Sequence, residues 1–133
     1  IYMGKRHDSM VTKFKTLVLG ASIKPERYSC RAVVQLNNKN IEVVPMGIVE
    51  GQIDSVPIIK PFEPLNKIHT VSLYLAPNRQ QEYYNYLIDL KPQRVLFNPG
   101  TENTELAQLL NQAGIRWENA CTLVLLSTDQ YQT

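Results

Sequence analysis

Gly20-Ala21-Ser22, followed by Lys24, Arg27 and Ser29, gathers a tight turn, two hydroxyls and two cations into one short stretch. That combination suits a phosphate group. The first N–H groups of a helix have no partner inside it and carry partial positive charge. Gly20 permits the turn, Ala21 is nearly as small, and Ser22 offers a hydroxyl beside its N–H. Pro25 fixes the path towards Arg27 and Ser29. A plain strand-to-helix turn with solvated charges fits the same residues, because short glycine motifs occur in many settings.

The end of the next apolar run sharpens the choice. A nicotinamide dinucleotide usually needs a carboxylate about 20 residues past the glycines to hold its ribose hydroxyls. Here that position is Val44-Pro45-Met46, with Glu42 placed earlier, inside the strand. A ribose bearing phosphate is less disfavoured there than a free diol. The apolar trio can flank an adenine ring or, Val44 above all, pack into the core.

Other reactive residues are sparse. Cys121 is a candidate nucleophile, but a nucleophilic cysteine needs a base, and no His or Asp is near it in sequence. Cysteine is also among the most buried residue types, so packing is the plainer role for Cys121 and for Cys30. His7 and His69 are isolated, and neither cysteine has a partner at ligand spacing, so no metal site is expected. Glu102, Glu105 and Glu118 form no paired-carboxylate site and read as caps or solubilising charges. Tyr84, within Glu82–Tyr86, reads as an exposed aromatic on a helix, or with the proline-rich loop near Phe62 as a face for a partner.

These residues need a scaffold. Thr16–Gly20, Ile41–Met46, Thr70–Leu75, Arg94–Asn98 and Cys121–Leu126 are continuous apolar runs of strand length. Strands covered by helices on both faces read this way. A helix is expected from Arg27 to about Asn38, with Ala32, Val33 and Leu36 inward. Asn78 is expected to cap a second helix with Gln81 as its capping-box partner, Tyr83, Tyr86, Leu87 and Leu90 forming its apolar stripe and Lys91-Pro92 ending it. Asn103 is expected to cap a third, with Leu106, Leu109, Leu110 and Ala113 inward and Gly114 as its left-handed terminator. Val49–Lys67, rich in proline, reads as turns and a short edge strand. Strands alternating with helices predict an α/β, Rossmann-like, doubly wound three-layer sandwich with a mostly parallel sheet of five or six strands. Ligands of such sheets bind beyond the carboxyl ends of the strands, near the topological switch point.

The chain has 133 residues, 44% hydrophobic and 20% charged, with a formal net charge of +2. These values suit one soluble domain, give no bulk charge for nucleic acid, and leave no apolar run long enough for a membrane. Two distant cysteines fit a reducing, cytoplasmic setting. The chain opens on Ile1 and not on methionine, which reads as a trimmed or tagged start. Residues 1–14 are set aside as an N-terminal extension, and 15–133 as the domain.

The blocks TLVLGASIKPERYS, EVVPM, VSLYLAP, RVLFNPGTEN and ENACTLVLL resemble the small bacterial CoA-binding proteins. These look like the CoA-binding domain of the succinyl-CoA synthetase alpha subunit standing alone. The resemblance runs from about Lys15 to Leu126. It implies that coenzyme A or an acyl-CoA is bound, without a metal. Gly20, Ala21 and Ser22 would line the pyrophosphate, with Lys24, Pro25, Arg27, Tyr28 and Ser29 around the phosphates. Val44, Pro45 and Met46 would border the adenosine, and Tyr74, Leu75, Ala76 and Pro77 the pantetheine arm. Asn98-Pro99-Gly100 resembles the synthetase's Asn-Cys-Pro-Gly turn with the cysteine absent. No stretch matches the synthetase's second domain, which carries its phosphorylated histidine, so the resemblance implies binding without that reaction.

Three alternatives stay open on the sequence. They are an NAD(H)-binding redox-sensing module, an enzyme processing CoA thioesters through Cys121, and an interaction domain whose pocket is a relic. The expected partners are a small nucleotide ligand and, beyond it, a second copy in a homodimer or an unidentified protein. Neither nucleic acid nor membrane is expected.

Overall fold

The structure, a computed structural model, describes residues 11–133. His7 lies outside the described residues. Five parallel strands form one sheet: β1 (Val11–Leu19), β2 (Ile41–Met46), β5 (Thr70–Leu73), β6 (Arg94–Phe97) and β7 (Arg116–Asn119). Their spatial order is β2-β1-β5-β6-β7. The chain thus winds from β1 to one side and then crosses to β5 on the other. The switch point lies between β1 and β5, where a doubly wound sheet opens its crevice.

Side chains on a strand alternate between faces, and the two faces carry separate cores. Leu17, Leu19, Val71, Leu73, Val95 and Phe97 pack under α3 (Tyr84–Leu90) and α4 (Thr104–Gln112), through Leu87, Leu106 and Leu110. Val18, Ile41, Val43 and Leu96 pack under α1 (Tyr28–Asn38) and α5 (Thr122–Ser127), through Cys30, Val33, Leu36 and Leu126. The three-layer α/β sandwich expected from the sequence is the observed fold.

The last expected strand is a correction. Cys121–Leu126 is the start of α5, and the edge strand is the polar segment Arg116–Asn119. An apolar run reports burial, and a short helix pressed on a sheet is as apolar as a strand within it. An edge strand needs no such run, and exposed charges at Arg116 and Glu118 suit an edge.

Several boundaries also differ. β1 begins at Val11, inside the segment set aside as an extension. The second helix starts at α2 (Pro77–Gln80), with Ala76 as N-cap and Pro77 as first residue, so Asn78 does not cap it. Proline at the first helical position has the right φ and no N–H to waste. A 3₁₀ turn (Gln81–Tyr83) joins α2 to α3, and Lys91 in the left-handed region ends α3. Asn103 caps α4 as expected, accepting from the Leu106 N–H at 3.2 Å, and Gly114 follows with φ +73°. Leu109 is only half-buried, and Ala113, past the end of α4, is exposed. Within Val49–Lys67 a small hairpin pairs β3 (Gln52–Ile53) with β4 (Val56–Pro57). Ile59 then bridges Met46 in parallel, a brief extension of the sheet edge.

Candidate functional site

A cleft of about 290 Å³ lies beyond the carboxyl ends of β1, β2 and β5. Gly20, Ala21, Ser22, Lys24 and Arg27 line it from the first turn, and Tyr74 and Leu75 from the end of β5. No aspartate or glutamate lines it.

The turn after β1 is built differently from a glycine-rich phosphate loop. Gly20 has φ +96°, and the Gly20 and Ala21 N–H groups both donate to the Met46 carbonyl, at 3.0 and 2.9 Å. These two donors therefore tie β1 to β2 and are spent. The Ser22 hydroxyl oxygen accepts from the Lys24 N–H at 3.1 Å, which leaves the hydroxyl proton to donate elsewhere. The N-cap of α1 is Arg27, with no side-chain cap and no acid in the first turn. Its first-turn N–H groups thus meet no competing side-chain anion, with Lys24 and Arg27 beside them.

The sequence reading missed five lining residues: Gly47, Ile48, Val49, Arg79 and Tyr83. Arg79 on α2 adds a third cation. Ile48 and Val49 are 73% and 50% exposed, unusual for large aliphatics. Gly47 is where the two loops touch: a Cβ there would stand 2.5 Å from the Ala21 carbonyl oxygen. The one available signal was position, since Gly47 directly follows the expected end of β2. Gln80, fully buried, was also missed. It donates to the carbonyls of Leu75 and Thr101, each at 2.8 Å, and accepts from Asn103 at 2.8 Å, fixing the loop after β5.

Other expected residues stand apart from the cleft. Met46 is 0% exposed and Val44 packs against the same core, so the apolar flank of the cleft is Ile48 and Val49 instead. The strand carries Val44 and Met46 onto its inner face, and chain emerges from the sheet only at Gly47. Pro45 and Ser29 are buried. Tyr28 is exposed and lies under the Arg31 guanidinium. Pro25 lines a different groove, between α1 and α5. Ala76 and Pro77 are exposed at the start of α2, outside the cleft lining. Asn98 is a structural clamp. It donates to the Ser72 hydroxyl at 3.0 Å and the Leu73 carbonyl at 2.9 Å, and accepts from the Thr122 N–H at 2.8 Å. Pro99 and Gly100 continue as an exposed turn.

The Tyr74 hydroxyl is buried without a hydrogen-bond partner. Its neighbours Ser72 and Thr122 bond each other at 2.7 Å. Burial pushes the Tyr74 phenol up to about 12, so it stays a neutral donor. Cys121 is half-buried just before α5, while His69 stands at the amino end of β5, bonded to Thr70 at 2.7 Å. They stand at opposite ends of the strands. Tyr84 is half-buried and held by α4: its hydroxyl donates to Glu105 and accepts from Asn103, both at 2.9 Å. Phe62 stacks on Tyr83 with centroids 4.7 Å apart. Among the described residues, no group of three or more His, Cys, Asp or Glu gathers as a metal site, and no helix is long and apolar enough to cross a membrane.

A doubly wound sheet with a cationic cleft at its switch point defines a nucleotide-binding class. The family described as a CoA binding domain matches residues 15–127, and the chain belongs to it. Among solved structures, an uncharacterized protein superposes with a TM-score of 0.86 at 41% identity, over 90% of this chain and 98% of that one. Two more distant structures share the fold. The cell-free ID.343 protein of Thermus thermophilus has a TM-score of 0.76 at 15% identity, over 97% of this chain and 96% of that one. A hypothetical protein from Pyrococcus horikoshii OT3 has a TM-score of 0.79 at 22% identity, over 94% and 89%. No match was found among curated proteins.

Proposed function

We propose that this protein binds coenzyme A, free or acylated, in the cleft at the carboxyl ends of β1, β2 and β5, and acts as a non-catalytic binding module. The observation that carries the reading is the set of three cations, Lys24, Arg27 and Arg79, in a lining without a carboxylate. Coenzyme A brings a pyrophosphate and a ribose phosphate, so it offers several anions to such a set. The Ser22 hydroxyl and the uncapped start of α1 add donors for phosphate oxygens. Ile48 and Val49 flank the adenine, and the Tyr74–Leu75 edge receives the start of the pantetheine arm. The residues present therefore fit the ligand's charge and its flat base. Binding requires no reaction, and the cleft lining pairs no nucleophile with a base.

Charge-assisted hydrogen bonds contribute about 1.5–3 kcal/mol each. Lys24→Gln and Arg79→Gln are each expected to weaken CoA binding at least tenfold, read by calorimetric titration, since about 1.4 kcal/mol is a factor of ten. Unchanged affinity in the double variant would remove the cation set from the account.

A further inference from the structure

A second cavity lies at the opposite end of the sheet. It has a volume of about 410 Å³ and is lined by Lys13, Lys67, Ile68, His69, Leu90, Lys91 and Gln93. Lys13 comes from β1, Lys67 to His69 enter β5, and Leu90 to Gln93 join α3 to β6. Three lysines from three segments meet in one concavity, and its lining contains no carboxylate. Among the described residues the single ion pair is Lys15 with Glu42 at 3.6 Å, outside this lining.

Two further observations bear on it. Lys67 and Lys91 both have left-handed backbones, with φ +57° and +51°. A side chain with a Cβ costs about 1–2 kcal/mol in that region, which is why glycine or asparagine usually fills it. Lys91 gains part of this back at the carboxyl end of α3, where a cation suits the helix dipole. Lys67 shares this end of α3, since it lines the cavity together with Leu90 and Lys91. The positive field also reaches the buried neighbours. Burial and then Arg94, Arg116 and Lys13 disfavour a proton on His69. Arg94 is itself 2% exposed and lies 4.5 Å from the Tyr131 ring, bonded to Thr70 and the Tyr131 carbonyl, with no carboxylate. An anion in the cavity would meet three lysines in a lining that offers no carboxylate.

We infer that this amino-end cavity is a second binding site, for a small, multiply charged anion of the phosphate class, held by Lys13, Lys67 and Lys91. It is independent of the CoA cleft, which lies beyond the other ends of the strands. The geometry suits a free phosphate ester or pyrophosphate, since the cavity is too small to admit a folded partner.

Pyrophosphate is the probe. Titrated into the whole protein and followed by amide NMR, it is expected to give saturable shifts at Lys67, His69, Lys91 and Gln93. Shifts at Ser22, Lys24 and Arg27 report the CoA cleft separately, so either site can fail alone. The double variant Lys67→Gly/Lys91→Gly removes two charges and relieves both left-handed positions. It should fold with an unchanged or higher melting temperature and bind pyrophosphate at the amino end at least tenfold more weakly. Absence of saturable shifts at the amino end, or undiminished affinity in the glycine variant, would overturn the proposal. Capture on vesicles of anionic phospholipid without pyrophosphate binding would overturn it too, assigning the cations to a lipid surface.

Discussion

At Gly47 one methyl group decides whether two loops can meet. A Cβ would stand 2.5 Å from the Ala21 carbonyl oxygen, and the contact is backbone, which cannot swing aside. Gly47→Ala is therefore expected to cost about 1–3 kcal/mol, the usual penalty for overpacking a fitted site. Urea denaturation measures it. The same change should weaken CoA binding, because Gly47 and Ala21 both line the cleft. A variant as stable as the parent would mean that the loops separate freely. Much of the first turn was legible in the sequence, since glycine, serine and nearby cations announce themselves by type. Gly47 was not, because its importance lies in a contact with a residue 26 positions away, at Ala21. Arg79 was hidden similarly: a lone arginine early in a helix carries no pattern, and only the packing of α2 beside the cleft gives it a role. Gly20 and Ala21, expected to line the pyrophosphate, are a subtler case. The residues are in place, but the Met46 carbonyl takes both donors.

Elements buried on both faces were the readable ones. β1, β2, β5 and β6 show as apolar runs, and α1 and α4 show by their buried stripes. β7 was invisible, because an edge strand with half its surface in water needs no apolar run. α5 imitated a strand, since six residues are too few to display a helical period. Val44-Pro45-Met46 was placed on the correct strand, but alternation turns Val44 and Met46 to the core. The entry to β5 carries a pH effect. His69 is buried against Phe14 and near Arg94, Arg116 and Lys13, which lowers its pKa from 6.5 to about 4. The unfolded chain takes up a proton near 6.5, and the folded chain does not until about 4. Stability from this group is thus full above 6.5 and declines as pH falls towards 4. Urea midpoints should decrease across that window, and His69→Gln should flatten the decrease. An identical slope in the variant would assign the effect to other groups.

For the molecule as a whole, topology places a cavity at each end of one sheet. The carboxyl ends of β1, β2 and β5 meet at the switch point, and the cleft opens there. The order of the strands explains why residues from three separate sequence blocks share one lining. It also explains why Asn98-Pro99-Gly100, at the end of β6, stands apart: β6 lies one strand beyond the switch point. Isothermal titration with coenzyme A, with coenzyme A lacking its ribose phosphate, and with NADH tests the central claim most directly. Coenzyme A is expected to bind most tightly, the form lacking that phosphate at least tenfold more weakly, and NADH weakest, because no carboxylate in the cleft waits for a ribose diol. NADH binding as tight as coenzyme A, or no binding of coenzyme A at all, would contradict the account.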